Sequence, residues 1–311
     1  MSDEIAEARR VIGSLPVFDG LDPAALEIER LGGLTNLVFR VGATGGGESW
    51  CLRLPGKGTE EYIDRRVEAQ AACAAADAEV SPEVLHADAA SGIMVTRFIE
   101  ATTTMSPALF KSRPGSPARA GAAFRKLHDS GKTFDFRFEL FSMIDDYLKV
   151  LATKTVAFPA GYHDVLEEAE AVRAALVAHP LPLTPCHCDP LCENFLDTGT
   201  RMWIVDWEYS GMNDPLWDLG DLSVEGEFTA AQDEEMILAY FGGPPNAAER
   251  GRIVIYKAMC DLLWTLWGLI QHANDNPAED FWAYATGRFE RCKALMAEPD
   301  FAGHLAAVRE G

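Results

Sequence analysis

The stretch Cys186-His187-Cys188-Asp189-Pro190-Leu191-Cys192-Glu193-Asn194, followed by Ile204-Val205-Asp206, constrains this chain more than any other. Between the two segments, Phe195-Leu196 and Met202-Trp203 flank a polar turn containing Gly199. Apolar runs around such a turn predict a β-hairpin. Closing it antiparallel sets Asn194 at its entrance nearly opposite Asp206 at its exit, roughly 5 Å apart if the two pair directly. An amide oxygen beside a carboxylate suits Mg²⁺, a hard cation that also keeps waters and phosphate oxygens as ligands. Asp189 lies one short loop upstream and reaches the same spot without sharing the metal. Phosphoryl transfer asks for this set: a base for the acceptor hydroxyl and two ligands for the metal on ATP. The competing reading is a set of surface polar groups around a hairpin.

His-x-Asp-x4-Asn followed by a hydrophobic-Asp segment resembles the catalytic loop and metal-binding Asp of the protein-kinase-like phosphotransferases, which include aminoglycoside phosphotransferases and choline/ethanolamine kinases. The continuation Asp206-Trp207-Glu208-Tyr209-Ser210, then Asp218-Leu219-Gly220-Asp221, resembles the choline/ethanolamine kinase branch. By that resemblance Asp189 is the catalytic base, His187 braces the loop, and Asn194 and Asp206 hold Mg²⁺. It implies an α+β, protein-kinase-like bilobal fold with a small antiparallel-sheet lobe, residues 1–99, and a mostly helical lobe, residues 100–311. The similarity runs from about residue 30 to residue 292.

The formal net charge of −21 over 311 residues argues against a broad nucleic-acid-binding surface. It would draw in a small cationic substrate, although solubility alone also accounts for it. Seven cysteines without a CxxC pair fit free thiols in a reducing cytoplasm. Cys186, Cys188 and Cys192 surround His187, but their spacing matches no zinc framework. The acidic start Met1-Ser2-Asp3-Glu4 lacks the basic-then-apolar pattern of a signal sequence. Ile253 to Ile270 is apolar but carries Lys257 and Asp261, which predicts a buried helix and no membrane insertion.

Along the first hundred residues, 3–30 read as helices broken near Pro16 and Gly20, with Asp22-Pro23 as a helix start. Leu37–Val41, Trp50–Leu54, Val84–Ala87 and Ile93–Phe98 read as strands. Gly32-Gly33-Leu34-Thr35-Asn36 is a glycine turn whose backbone N–H groups could close over phosphates, and it resembles the nucleotide loop of choline kinases. Arg53 lies on the strand where protein kinases place their phosphate-binding Lys, and choline kinases resemble this chain in carrying Arg there. A helix at about residues 60–76 presents Glu61, Asp64 and Glu68 broadly on one face, with Glu68 as the expected partner of Arg53. Phe98-Ile99-Glu100 is the expected inter-lobe linker, its backbone reading adenine. Thr102 to Pro117 reads as connection.

Beyond it the pattern turns helical: Ala118–Asp129, a helix around Asp145-Asp146-Tyr147, Tyr162–His179, and Tyr256–His272. His128 reads as a structural hydrogen-bonding residue, and Phe134, Phe136, Phe138 and Phe141 as core. Trp264 and Trp267, three apart, share a helix face, and Phe281–Phe289 adds aromatics. A quaternary ammonium is held by aromatic faces, Trp most strongly. Trp264-Thr265-Leu266-Trp267 and Tyr284-Ala285-x-x-Arg288-Phe289 resemble the choline-pocket segments of choline kinases, which implies Trp264, Trp267 and Tyr284 as cage walls. Glu225 matches an acidic position that faces the choline nitrogen in that family. The other possibility is that these rings only fill core. The expected activity is ATP- and Mg²⁺-dependent phosphorylation of choline or a related cationic amino alcohol. Aminoglycoside-type transfer and a non-catalytic pseudokinase are the alternatives. No Ala-Pro-Glu segment follows Asp206, which argues against a protein kinase.

Overall fold

The computed structural model describes residues 2–32, 36–43, 45–56 and 63–311. Gly33 and Thr35 of the glycine turn, and Glu61, lie outside the described residues.

The first part of the chain is an antiparallel sheet. Its strands are β1 (Leu26–Gly32), β2 (Asn36–Ala43), β3 (Ser49–Pro55), β4 (Val84–Ala87) and β5 (Met94–Arg97), in the order β1-β2-β3-β5-β4. Alternation sorts side chains between its faces. Phe39, Val41, Trp50, Leu52 and Leu54 turn to one side, where they bury Ala8 and Ile12 of helix α1 (Ser2–Ile12) together with Phe18. Arg53, between Leu52 and Leu54, therefore points to the other side, toward helix α2 (Arg65–Asp77).

Two readings of this region are corrected. Residues 22–30 do not form a helix: Asp22 caps only a short turn at Pro23–Ala25, and the chain then enters β1. The run Leu26-Glu27-Ile28-Glu29-Arg30 alternates apolar with charged, a period of two that suits an edge strand pairing with β2. Helix α2 begins at Arg65 because Asp64 caps it, its carboxylate accepting the Arg66 and Val67 N–H groups. Asp64 is thus a helix cap and offers nothing to Arg53.

The second part is mostly helical. Between β5 and the first long helix, the segment read as plain connection contains β6 (Thr103–Thr104) and α3 (Pro107–Ser112), the latter capped by Ser106. There follow α4 (Ser116–His128), α5 (Leu140–Ala152), α6 (Tyr162–Ala178), β7 (Thr184–Cys186), β8 (Phe195–Asp197), β9 (Met202–Ile204), β10 (Gly211–Asn213), α7 (Leu216–Glu225), α8 (Ala230–Phe241), α9 (Ala247–Ala273), α10 (Phe281–Met296) and α11 (Phe301–Glu310). Strands pair as β6-β8-β9 and as β7-β10.

Helix α9 starts nine residues before the expected Tyr256, at a capping box in which Asn246 and Glu249 exchange bonds. It is long and apolar enough to cross a membrane by length and composition, but most of it is buried against α7, α10 and α11. Gly268 permits the closest of these approaches: a Cβ there would meet Tyr284 at 2.6 Å. Phe134, Phe138 and Phe141 are core, whereas Phe136 is exposed. Its ring lies over Gly211, whose absent side chain makes the space.

Candidate active site

The hairpin forms from β8 and β9, with Phe195 opposite Ile204 and Asp197 opposite Met202. Its register differs by one residue from the expected one. Val205, not Asp206, stands opposite Asn194 and donates its N–H to the Asn194 carbonyl at 2.9 Å. The turn sets this, since Thr198 and Arg201 close it with a 3.0 Å bond. Asp206 follows just beyond the pairing, with a φ of +68°. Asp tolerates this left-handed conformation better than most side chains, and here it turns the chain sharply at the hairpin exit.

The loop before the hairpin hangs from one buried carboxylate. Asp218, on α7, accepts the backbone N–H of His187 at 2.8 Å and of Cys188 at 2.9 Å. It also bonds His128 Nε2 at 3.0 Å, and His128 Nδ1 meets the Tyr240 hydroxyl at 2.9 Å. His128 is therefore a structural residue. Trp217 Nε1 donates to the Cys188 carbonyl, and Ser210 Oγ to that of His187. His187 Nε2 donates to the Val205 carbonyl at 2.9 Å, tying the loop to the segment that carries Asp206. Burial holds the His187 imidazole below its ordinary pKa, as a neutral brace requires. Cys186, Cys188 and Cys192 are buried, and burial raises their thiols. Although Cys186, His128 and Asp218 cluster, His128 and Asp218 are already hydrogen-bonded, so the group packs the loop.

Within this frame Asp189 is half-buried, and its backbone carbonyl accepts Asn194 Nδ2 at 3.2 Å. Burial, and then the charges of Glu225, Glu208 and Asp206, raise its carboxyl well above the usual range. Arg53 donates to Glu68 and stands 3.4 Å from Asp206. Arg65 bonds Glu68 at 2.8 Å and reaches Glu208 at 3.5 Å, and Asn36 Nδ2 donates to Glu208 at 3.1 Å. The sequence reading assigned no role to Arg65 or Glu208. Glu208 stood two residues after Asp206 in the quoted motif, which was the available signal.

Glu68, Asp206 and Glu208 bring ligand oxygens within 4.8 Å of one another. Burial raises the Asp206 carboxyl; burial, then the charge of Asp206, takes Glu208 to about 7. Three carboxylates meet two arginines here, so with all three ionised a negative charge is left over. Hard oxygen donors with surplus negative charge fit Mg²⁺. Gly32 ends β1 at an irregularity in its pairing with β2, beside the residues outside the description. In the linker, the Phe98 N–H is bonded to the Ser49 carbonyl at 3.0 Å. That N–H is therefore engaged within the protein, and Ile99 follows it half-buried.

Helices α7 and α10 both pack against α9, and the charges of their Glu225 and Arg288 reach the Asp189 carboxyl. The three helices present Asp221 and Glu225 from α7, Cys260, Trp264 and Trp267 from α9, and Tyr284 and Arg288 from α10. Trp264 and Trp267 pack edge to face with centroids 6.4 Å apart, and Trp267 meets Tyr284 at 5.6 Å. Trp264 is buried, whereas Trp267 and Tyr284 are half-buried. The indole N–H groups of both Trp residues are buried without a hydrogen-bond partner among the described residues. Two expectations meet competition from the protein itself. Glu225 is ion-paired with Arg288 at 2.5 Å, and the Arg288 guanidinium lies over the Tyr284 ring at 4.8 Å. The sequence reading quoted Arg288 but missed this role, because the pairing joins helices far apart in the chain.

A family model described as "Phosphotransferase enzyme family" matches residues 27–250. A choline/ethanolamine kinase family protein from Mesorhizobium loti is 68% identical, covers 99% of this chain and 100% of its own, and superposes with a TM-score of 0.89. The choline kinase LicA from Streptococcus pneumoniae is 27% identical, with 94% and 98% covered and a TM-score of 0.77. A structure of LicA in complex with AMP is similar at 27% identity, with 97% and 98% covered and a TM-score of 0.73.

Proposed function

Since the chain belongs to the phosphotransferase enzyme family, within its choline/ethanolamine kinase branch, we propose that it transfers the γ-phosphoryl group of ATP to the hydroxyl of choline or a related amino alcohol. Its antiparallel-sheet region and helical region correspond to the two lobes of such kinases. We place the division at residues 1–99 and 100–311, with the nucleotide between the lobes, and the enzyme in the cytoplasm, consistent with seven free cysteines.

One observation carries this reading. The charges that act on the Asp189 carboxyl come from two sets of groups: Asp206 and Glu208 of the arginine cluster, and Glu225 and Arg288 beside the aromatic rings. An acceptor whose ammonium lies among those rings brings its hydroxyl to Asp189, and ATP phosphates beside Arg53 and Asp206 face it. Asp189 accepts the hydroxyl proton as the acceptor oxygen bonds to phosphorus and the bond to ADP breaks. The crowded acids around Asp189 strengthen its hold on that proton. Asp206 and Asn194, with Glu208 nearby, are the groups that would hold Mg²⁺. When bound, this ion offsets the negative charge of the phosphates. Arg53, fixed by Glu68, positions a phosphate, while His187 and Asp218 keep the loop in shape.

ADP release with Mg-ATP, measured against a panel of amino alcohols and aminoglycosides, tests this. Stimulation by small amino alcohols is expected. Stimulation by aminoglycosides alone, or by none of the panel, would overturn the assignment.

A further inference from the structure

Resting on the reading just given, we propose that Trp207 is a positioning residue for phosphoryl transfer. Pinned to the turn that follows α2, it holds the two carboxylates on either side of it, Asp206 and Glu208, where the nucleotide needs them. Its own side chain is buried in the core, whereas the flanking acids meet Arg53, Arg65 and Asn36.

The segment depends on such an anchor. Residues 205–207 belong to no helix or strand, and Asp206 turns the backbone at a φ of +68°. Side chains must therefore fix what no ladder fixes. The Trp207 Nε1–H donates to Ser81 Oγ at 3.0 Å, a bond between groups 126 residues apart in the chain and both buried. The indole also packs on the imidazole of His187, with ring centroids 5.0 Å apart, and edge-on against Phe134 at 6.0 Å. One side chain thus joins the brace of the catalytic loop to the end of α2.

Ser81 is a firm support. The N–H groups of Val80 and Ser81 return to the Ala75 carbonyl at 3.1 and 3.3 Å, so the turn is bonded to the last turn of α2. The Val80 carbonyl accepts the Ile204 N–H at 2.9 Å, and Glu79 takes Lys126 at 2.6 Å, so the same turn is also bonded to the helical region. At its other end α2 carries Arg65 and Glu68, which hold Glu208 and Arg53. Glu208 is therefore fixed from two directions: Arg65 takes its carboxylate, and Ser81 takes the residue beside it. Loss of the Ser81 hydroxyl leaves a buried N–H without its acceptor, and the indole then shifts and carries its neighbours with it.

The test compares Trp207→Phe, which keeps a ring on His187 but has no N–H, with Ser81→Ala, the double variant and Ser81→Thr. Thr keeps the hydroxyl, and Ser81 lines a cavity of about 390 Å³ that can take the added methyl. Calorimetric titration of Mg-ATP, steady-state kinetics with 2-aminoethanol and a thermal melt are run on each. Trp207→Phe and Ser81→Ala should each weaken ATP binding and lower kcat by about three- to tenfold, the weight of one buried hydrogen bond, with the acceptor KM unchanged. The double variant should lose no more than either single one, because both break the same bond. Ser81→Thr should behave as the wild type. A lower melting temperature with ATP affinity and kcat unchanged would make Trp207 merely structural and overturn the proposal, as would losses that multiply in the double variant. Should Trp207→Phe not fold, Ser81→Ala against Ser81→Thr decides. A wild type that binds ATP but transfers to no amino alcohol would overturn the proposed transfer, while the titrations would still decide the role of Trp207.

Discussion

Glu225 on α7 and Arg288 on α10 form an ion pair of 2.5 Å, so the acid that the family resemblance aims at the substrate nitrogen is already matched within the protein. An incoming ammonium would share Glu225 with the guanidinium. Glu225→Gln should therefore raise KM for a small amino alcohol severalfold and leave KM for ATP near its original value. Arg288 keeps Asp261, so the fold should survive. Steady-state kinetics with either substrate varied check this, and an unchanged acceptor KM would remove Glu225 from the pocket.

Asp189→Asn keeps the size of the side chain and removes its capacity to take a proton. Turnover should fall by roughly 10²–10⁴, the usual weight of a positioned general base. Nucleotide affinity should barely change, since the residue faces the acceptor. ADP release and a nucleotide titration on the same preparation distinguish the two, and near-normal turnover would reject the assignment.

Asp206→Ala removes the carboxylate that closes the hairpin exit. Activity should be abolished, and the Mg²⁺ concentration needed to support Mg-ATP binding should rise, because no neutral side chain replaces a carboxylate on a hard cation. An unchanged Mg²⁺ dependence of nucleotide binding would show that Asp206 holds no metal.

Asp197 offers a test of stability against pH away from the site. Burial works to raise its pKa, but bonds from Arg119 and Arg113 outweigh that and bring it down to about 2. A folded-state pKa below the unfolded value stabilises the protein above the unfolded pKa, and the gain is lost as pH falls through the folded one. The contribution should be on the order of 1–2 kcal/mol, less than full linkage because the arginines are partly solvated. It should disappear between about pH 4 and pH 2, and Asp197→Asn should flatten that part of the curve in urea unfolding.

Several elements were legible because their causes are local. The hairpin at residues 195–204 shows in its apolar flanks and polar turn, and the alternation of Trp50 to Leu54 already places Arg53 on the face opposite Leu52. The same logic was available for Leu26 to Arg30, where the helix-start signal at Asp22-Pro23 misled, since it caps only a single turn. The order of the loop, the hairpin and the aromatic helices was also open to reading, since each lies within one window of chain.

What tertiary structure decided is which charges meet. The one-residue register at Asn194 depends on how the 198–201 turn closes. That Asp218 gathers the amides of the 187–188 loop, that Arg65 reaches Glu208, and that Arg288 takes Glu225 all depend on pairs of groups distant in sequence. Periodicity and turn chemistry act within a few residues and can be read from the chain, whereas the partner of a buried charge is chosen by which elements pack together.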